Sequence, residues 1–421
     1  MDFLNSLFSL SATSVTLCGA FFITLTGYAL GSIRFKGLQF GAAGVFLMAL
    51  LFGYLFTVPA HQGIPVLSKF YIAGPDAAVV DQYGYLESIG LILFVTSVGF
   101  IAGPSFFRNL KVNAKSYVPL ATIIVFTGVV FTVLFAMIPG IGADYANGIL
   151  SGALTSTPAF SAAKQVAENQ GLVSLGHAVA YPFGVVGVVL FVQIIPRLVK
   201  ADLAAEREAI KIVKTDTSEI IEDNEKKGKL LDEFGFSSFG VAVILGIFLG
   251  SIKIPLTGAG FGGACFSLGN TGGPLIIALI CGHFGRIGKL SLEVPAHVVK
   301  TFREFGLTLF LIGAGVEGGV ELVAQVQASE YGVMLLIYGF IAGAFMTTVP
   351  LLVGYLCASR LFKLRLLNNL GALTGGMTST PALGTLIKVA GTDDVASAYA
   401  SAYPVALVLI VIASNFIGTF L

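Results

Sequence analysis

Charged side chains are scarce in this chain of 421 residues. Asp, Glu, Lys and Arg make up 11% of it, against roughly a quarter of an ordinary soluble domain, and 56% of the residues are hydrophobic. A soluble fold of this size cannot hide so much apolar surface from water. The composition therefore excludes a cytosolic enzyme and a disordered chain, and it indicates an integral membrane protein.

Other features are missing as well. The net charge is only +1, which leaves no basic surface for a nucleic acid partner. The four cysteines stand singly in apolar runs, and no Cys/His spacing predicts a metal site or another cofactor. There is no Walker A motif and no HExxH or Ser/His/Asp pattern that reads as catalytic. We therefore expect no enzyme activity, although residue pairs that meet only in space are invisible in a sequence.

The apolar runs are long and continuous, which favours membrane-spanning α-helices over alternating β-strands. A spanning helix needs about 20 mostly apolar residues. One hydrophilic stretch, residues 201–233, holds 16 charged residues and predicts a solvated linker with room for one short helix. It separates an N-terminal membrane domain, 1–200, from a C-terminal one, 234–421. The twelve predicted segments are 12–31, 40–58, 86–106, 117–139, 145–168, 176–198, 237–251, 266–283, 300–316, 331–357, 367–389 and 395–420.

The two halves resemble each other in sequence. The run TSTPA at 155–159 recurs at 378–382, and LGSIR at 30–34 recurs as LGSIK at 249–253. Several matches in the same order indicate an internal duplication, an architecture common among secondary transporters. Two further pairs follow the same order: Gly90-Leu91 with Gly306-Leu307, and Tyr181-Pro182 with Tyr403-Pro404.

The positions of lysine and arginine predict the topology, because basic loops stay on the cytoplasmic side. If the two TSTPA segments are re-entrant hairpins, each half has five spans and the halves are inverted. With the N-terminus outside, twelve basic loop residues and eight around the linker then lie inside, and only Lys69 and Lys253 lie outside. This arrangement places Glu317 in an outer loop. We therefore predict an all-α protein of two inverted-topology repeats, each of about five transmembrane helices plus one hairpin.

The TSTPA runs are the candidate binding site. Proline suits the first turn of a helix, and a hydroxyl residue before it can cap the new N-terminus. We predict Thr157 and Thr380 as these caps. A half-helix N-terminus in mid-membrane offers free N–H donors and partial positive charge, which favour a carboxylate. The alternative is that these residues only kink and join helices. The candidate substrate-binding residues are Thr155, Ser156, Thr157, Pro158, Thr378, Ser379, Thr380 and Pro381.

Four other residues join the candidate substrate-binding set. Tyr181 and Tyr403 follow the hairpins and can close over the site, or they anchor and pack the helices. Lys164 and Lys388 follow the hairpin tips and can offset a substrate carboxylate, or they extend to an interface.

Two further features of the apolar segments allow more than one interpretation. His177 is a proton carrier or a packed neutral imidazole. Three GxxxG pairs predict close helix packing, at 99/103, 246/250 and 315/319.

With these motifs in view, the chain resembles the aspartate:alanine exchanger family of bacterial secondary transporters. The resemblance is carried by GALTSTPA at 152–159, by residues 88–107 and by residues 178–190. It implies antiport of amino acids or dicarboxylates, with TSTPA near the substrate path. It also implies an elevator-like motion of a hairpin-bearing domain in a homodimer of the bacterial inner membrane. Both termini would then be periplasmic and the linker cytoplasmic.

One feature departs from the family pattern. Many relatives carry a large cytoplasmic insert between the halves, whereas this chain has only the short linker. The substrate varies within the family, so aspartate is a choice rather than a deduction. The closest rival is a Na⁺- or H⁺-coupled symporter or exporter of dicarboxylates. An ion channel, which needs a continuous polar pore, is a more distant one.

Overall fold

The computed structural model describes residues 11–35, 38–39, 41–57, 70, 78–138, 141–215, 232–255, 260–262, 265–287, 290–328 and 332–421. In these ranges the first half consists of helices joined by short connections. The helices are α1 (Ala12–Ser32), α2 (Ala43–Thr57), α3 (Ala78–Ala136), α4 (Gly142–Ala153), α5 (Thr157–Val166) and α6 (Gln170–Leu198). A two-residue antiparallel pair, β1 (Arg34–Phe35) with β2 (Leu38–Gln39), connects α1 to α2.

The second half follows a similar order after a linker helix, α7 (Leu203–Thr215), but has two helices where the first half has the single helix α3. Its helices are α8 (Phe236–Ser251), α9 (Gly269–Phe284), α10 (Ala296–Ala328), α11 (Gly332–Leu356), α12 (Leu366–Gly376), α13 (Thr380–Ala390) and α14 (Val395–Phe420). A π-helical turn, Cys357–Leu361, follows α11, and a 3₁₀ turn, Gly260–Gly262, precedes α9. The short strands are β3 (Ile254–Pro255) with β4 (Cys265–Phe266), and β5 (Arg286–Ile287) with β6 (Leu290–Ser291).

Among the described residues, six helical segments, two of them within α3, are long and apolar enough to cross a membrane, and they place the chain among multi-pass membrane proteins. Large apolar side chains cover much of the outer surface, which a water-soluble fold avoids. Examples spread over both halves are Phe21, Leu25, Phe126, Phe248 and Phe340. The predicted all-helical membrane class is confirmed.

The loop predicted between the third and fourth segments is absent. Both segments lie in α3, a single helix of 59 residues that contains Pro104 and Pro119. The residues from 105 to 116 include Arg, Leu, Lys and Ala, which favour helix, and they contain no glycine. Nothing in that stretch therefore ends the helix.

The ninth segment is also longer than predicted. Helix α10 continues to Ala328, so Glu317 lies inside a helix and not in an outer loop. Gly319 does not end α10, because the absence of a side chain there serves the packing of the helix. At Gly319 a methyl group would lie 2.7 Å from the backbone nitrogen of Tyr54.

Each TSTPA segment folds as two short helices that return on themselves. Helix α4 is about 18 Å long at 1.5 Å per residue, much less than the roughly 30 Å of a membrane core. The backbone N–H of Asn169, after α5, donates to the carboxylate of Asp144 at the start of α4, at 2.7 Å. The chain therefore enters and leaves the hairpin at the same end.

The helix after each hairpin runs parallel to the first arm of that hairpin. In the first half, Gly148 packs on Val173 and Gly152 packs on His177. In the second half, Gly371 meets Val395 and Gly375 meets Tyr399. The residue numbers rise together along both partners, so the two halves share one hairpin geometry.

All three predicted GxxxG pairs make close helix contacts. Gly246 and Gly250 of α8 pack within the second half, on Pro274 and Gly269, and the other two pairs pack against the opposite half. Gly99 and Gly103 of α3 lie against Ala278 and Gly282 of α9. The matching pair, Gly315 and Gly319 of α10, lies against Ala49 and Gly53 of α2. Each half thus packs one helix against the other half, and the pattern of contacts is the same in both directions.

The linker helix α7 confirms the predicted short helix and also contacts the second hairpin. The carboxylate of Glu206 accepts a hydrogen bond from the backbone N–H of Leu367, at the start of α12. A carboxylate at this end complements the helix dipole. Residues 216–231 lie outside the described part of the chain.

Candidate functional site

Each hairpin has two arms, α4 and α5 in the first half and α12 and α13 in the second. The first arm of each, α4 or α12, ends in the same kind of turn. Thr155 has a φ of 51° and Thr378 a φ of 48°, the left-handed region that β-branched residues rarely adopt. In the first turn the Ser156 N–H bonds to the Ser151 carbonyl at 2.8 Å. Ser379 bonds to Thr374 in the same way at 2.9 Å. This is the hydrogen-bond pattern of a Schellman motif, which stops a helix and redirects the chain.

The residues that begin the second arms differ from the prediction by one position. Ser156 and Ser379, not Thr157 and Thr380, occupy the N-cap positions. The left-handed threonine before each serine turns the chain early, so the serine is extended and the next threonine is already helical. The Ser156 hydroxyl accepts from the Ala159 N–H at 3.3 Å.

Proline follows in the first turn of α5 and α13, as predicted. The side chains of Thr157 and Pro158 lie outside the described part of the structure. Those of Thr380 and Pro381 are buried.

The two hairpin tips touch each other in the protein interior. The hydroxyl of Thr155 donates to the Met377 carbonyl at 3.3 Å, and the hydroxyl of Thr378 donates to the Leu154 carbonyl. Both threonines are buried. The two hairpin tips are therefore in direct contact.

The second tip carries a polar group that the described residues leave unsatisfied. The hydroxyl of Ser379 is fully buried, yet it has no hydrogen-bond partner among them. An unpaired buried hydroxyl costs about 1–3 kcal/mol, so it marks a place where a polar ligand or a water is stabilised. Thr380, the next residue, lies near the buried Tyr399.

A cavity of about 90 Å³ lies beside the first hairpin. It is enclosed by α5, α6, α3 and α10, so both halves of the chain contribute to it. Its walls combine carboxyl, ammonium, imidazole and hydroxyl groups with apolar side chains. The lining residues are Glu87, Phe160, Lys164, Ser174, His177, Ala178, Tyr181, Ala314, Glu317 and Gly318.

Two predicted residues, Lys164 and Tyr181, line this cavity. The Lys164 ammonium lies 4.5 Å from the centre of the Phe160 ring, in a cation–π contact. Tyr181 is buried with its ring 4.8 Å from that of Phe46. Its hydroxyl has no hydrogen-bond partner in the described ranges.

His177 also lines the cavity. Its Nδ1 is 2.9 Å from the Ser151 hydroxyl of α4. Its ring stacks on Phe160 at 4.2 Å. The imidazole thus connects the two arms of the first hairpin to α6.

The other two predicted residues lie elsewhere. Tyr403 is buried next to Tyr399, with ring centres 5.2 Å apart. The Lys388 side chain is about half exposed, 3.9 Å from Glu304 in the N-terminal third of α10. Since Glu317 lies 13 residues further along α10, Lys164 and Lys388 are separated by about 20 Å of helix.

An ion-pair cluster ties the second hairpin to α10. Arg303 is buried and its guanidinium donates to Asp393 at 3.0 Å, and Lys300 lies 2.7 Å from the same carboxylate. Partial burial raises the pKa of Asp393, but the hydrogen bonds and charges of Lys300 and Arg303 outweigh it, so the pKa lies below its ordinary value. Asp393 is therefore ionised at neutral pH.

Sequence reasoning missed the two glutamates of the cavity. Glu87 and Glu317 were assigned to a segment end and a loop, although each stands in an apolar, glycine-rich run. An acidic residue in such a run is a functional candidate by default, and this signal could have found them.

Residues 19–197 and 238–419 match the model of a family described as a predicted permease membrane region. The linker lies outside both matched ranges.

Several relatives align with this chain over nearly their whole length, and each of them is named an uncharacterized transporter. One, from Rhodopirellula baltica, is 27% identical, and the alignment covers 95% of this chain and 98% of the relative. Another, from Bacteroides fragilis, is 24% identical over 95% and 97%. A third, from Desulfotalea psychrophila, is 24% identical over 93% and 94%. The first alignment runs over 561 positions, more than the 421 residues of this chain.

Proposed function

The chain belongs to the aspartate–alanine exchanger family of permeases, a membrane transporter family, and we propose that it exchanges small carboxylates or acidic amino acids across the bacterial inner membrane. The substrate binds near the two hairpin tips, at Thr155, Ser156, Thr378 and Ser379 and at the N-terminal turns of α5 and α13. The observation that carries this proposal is the contact between the tips, where two interrupted helices expose their ends inside a buried core.

The packing of α3 on α10 supports an inverted relation between the halves. Gly90 and Gly306 are equivalent in the repeat, and they pack on each other: a methyl at Gly90 would lie 2.6 Å from the Gly306 carbonyl oxygen. Gly313 meets Glu87 and Tyr83, so the two equivalent helices run antiparallel. A two-fold axis perpendicular to these helices produces such a contact, whereas parallel repeats would make equivalent helices run the same way.

The chemistry of the tips fits a carboxylate. The α13 N-terminus brings partial positive charge and main-chain N–H groups, and the unpartnered hydroxyl of Ser379 adds a donor. No arginine is needed at such a site, which agrees with the few charges in the apolar segments.

Alternating access follows in this proposal from movement of the hairpins and their following helices against α3 and α10. The Arg303–Asp393 pair lies on the boundary between the hairpin helices and α10. In this proposal the pair closes one end of that boundary, and the cavity lies at the other end. The linker is cytoplasmic, both termini are periplasmic, and the protein works as a homodimer. The distribution of basic residues supports the orientation, and the family resemblance supports the dimer.

Uptake into proteoliposomes preloaded with a panel of amino acids and dicarboxylates tests this function. Labelled substrate should enter only when a permitted substrate is inside. Thr380→Ala and Thr157→Ala should each weaken exchange. The matched control is Thr301→Ala, an exposed residue of α10 whose hydroxyl bonds only within its own helix. If both tip variants exchange as fast as the control, the tips are not the binding site.

A cation-coupled symporter is the second candidate function. The pair of carboxyl groups in the cavity is the observation that favours it. Counterflow with and without Na⁺, and with and without a pH gradient, separates the two. An exchanger needs substrate on the opposite side, whereas a symporter accumulates substrate against its gradient when the ion gradient is imposed.

A further inference from the structure

Two glutamates from opposite halves of the chain lie side by side in the cavity next to the first hairpin. Helices α3 and α10 approach closely there because glycine faces each carboxylate-bearing turn. A methyl at Gly313 would lie 2.5 Å from the Glu87 Cβ, and one at Gly84 would lie 3.5 Å from the Glu317 Oε1. The close approach brings the two carboxyl groups together, and both line the same cavity.

Two carboxyl groups that lie this close together are stabilised by a proton shared between them. Like charges in contact cannot both stay ionised at low cost, so the pair shares one proton and carries one net negative charge. This arrangement gives the pair two protonation states with different net charge.

Every element packed around the pair contributes a polar group. Lys164 comes from α5, and its charge opposes that of the pair. His177 and Tyr181 come from α6, and Ser174 lies one turn before His177. With Glu87 on α3 and Glu317 on α10, these are the titratable and charged groups among the cavity-lining residues.

A second observation at the same place points to a ligand. The Tyr181 hydroxyl is buried, it belongs to a residue of the cavity wall, and the described residues offer it no hydrogen-bond partner. A polar cavity of this size has room for water. Water that satisfies this hydroxyl also gives a route for a proton to reach the carboxyl pair.

We propose that the Glu87–Glu317 pair is a proton-binding site that couples proton movement to transport. The pair releases its shared proton to cavity water on one side of the membrane, going from one to two negative charges beside Lys164. It takes a proton back from the other side after the hairpin has moved. The inference rests on the proposed transport function and adds a coupling ion to it.

Infrared difference spectroscopy on the purified full-length protein tests the site without any transport assay. The wild type should show the carbonyl band of a protonated carboxyl group, and this band should disappear as the pH rises. Glu87→Gln and Glu317→Gln should each remove the band. Glu168→Gln, at an exposed glutamate after α5, is the matched control and should keep it. A pH-dependent band that persists in both cavity variants overturns the proposal.

Transport of labelled substrate and of protons, the latter followed by a pH-sensitive dye in the liposome lumen, tests the coupling. The wild type should move protons together with substrate, and the two glutamine variants should lose the proton movement, whatever rate of substrate exchange they retain. Substrate exchange without proton movement in the wild type rejects the coupling and keeps the transporter. Loss of all exchange in the wild type, with the infrared band present, rejects the proposed function but keeps the proton site. Unchanged melting of the glutamine variants shows that they fold.

Discussion

Thr155 and Thr378 form reciprocal hydrogen bonds between the two hairpins: each hydroxyl donates to the carbonyl of the residue before the other threonine. The two residues occupy equivalent places in the repeat and share the same left-handed backbone. The contact is therefore made twice, once from each half. It ties the interrupted helices together at the point where their ends are least satisfied by their own hydrogen bonds.

Replacing either threonine by valine keeps the side-chain shape and the backbone strain but removes the hydroxyl. A buried carbonyl then loses its partner, which costs about 1–3 kcal/mol. We expect Thr155→Val and Thr378→Val each to lower the melting temperature in detergent. Thr155→Gly should destabilise less than Thr155→Val, because glycine accepts the left-handed conformation without strain.

The double variant, Thr155→Val with Thr378→Val, shows whether the two contacts act together. Because the hydroxyls bridge the same two tips, the combined loss should differ from the sum of the single losses. Strict additivity would mean that the two hydrogen bonds stabilise the tips independently.

The approach of α3 to α10 depends on the absence of a side chain at Gly306. A methyl there would lie 2.6 Å from the Phe94 backbone nitrogen and 2.7 Å from the Gly90 carbonyl oxygen. Overpacking of this kind costs about 1–3 kcal/mol, so Gly306→Ala should lower the melting temperature and the yield of folded protein. Gly240→Ala is the control, since a methyl at that helical position meets nothing within 4 Å. Equal stability of the two variants would contradict the packing described.

The Asp393 ion pairs predict a specific dependence of stability on pH. The pKa of Asp393 is lowered in the folded state by Lys300 and Arg303. The contribution of Asp393 to the stability of the fold is therefore complete at pH values above its pKa in the unfolded chain. This contribution is lost as the pH falls through its pKa in the folded state. Asp393→Asn should lower the free energy of unfolding at neutral pH by about 1.5–3 kcal/mol, the contribution of a charged hydrogen bond of this kind. Its melting temperature should therefore lie below that of the wild type.

The difference in melting temperature between Asp393→Asn and the wild type should become smaller in acid, because the protonated wild-type carboxyl is then as uncharged as the amide. Thermal melts across an acidic pH series measure it. A difference that stays constant to the lowest pH would show that the amide fails for a steric reason instead.

Sequence periodicity and repeats located the helices and the hairpins well, because apolar length and the Thr-Pro pairs are local signals. The turn of each hairpin was displaced by one residue, because the left-handed threonine is set by contact with the other tip. The continuity of α10 was missed because packing, rather than composition, decides where a glycine ends a helix. That of α3 was missed because its charged residues at 108–115 were assigned to a loop although they favour helix. Glu87 and Glu317 are 230 positions apart in the numbering. Their proximity follows only from the packing of α3 on α10, which no local pattern in the sequence predicts.

The two lysines that the sequence treats alike should respond differently to substitution. Lys388 is about half exposed and 3.9 Å from Glu304, and such a pair contributes only about 0–1 kcal/mol. Lys388→Gln should therefore leave both melting and exchange nearly unchanged. Lys164 faces the cavity with its charge against Phe160 and near Glu87, where solvent screens it less.

Lys164→Gln removes the cation that balances the carboxyl pair, so it should slow exchange and change its dependence on pH, while Lys164→Arg should restore part of the rate. Initial rates of counterflow at several pH values measure both effects. Equal behaviour of the Lys164→Gln and Lys388→Gln variants would mean that the cavity has no part in transport. In that case the hairpin tips alone would carry the substrate.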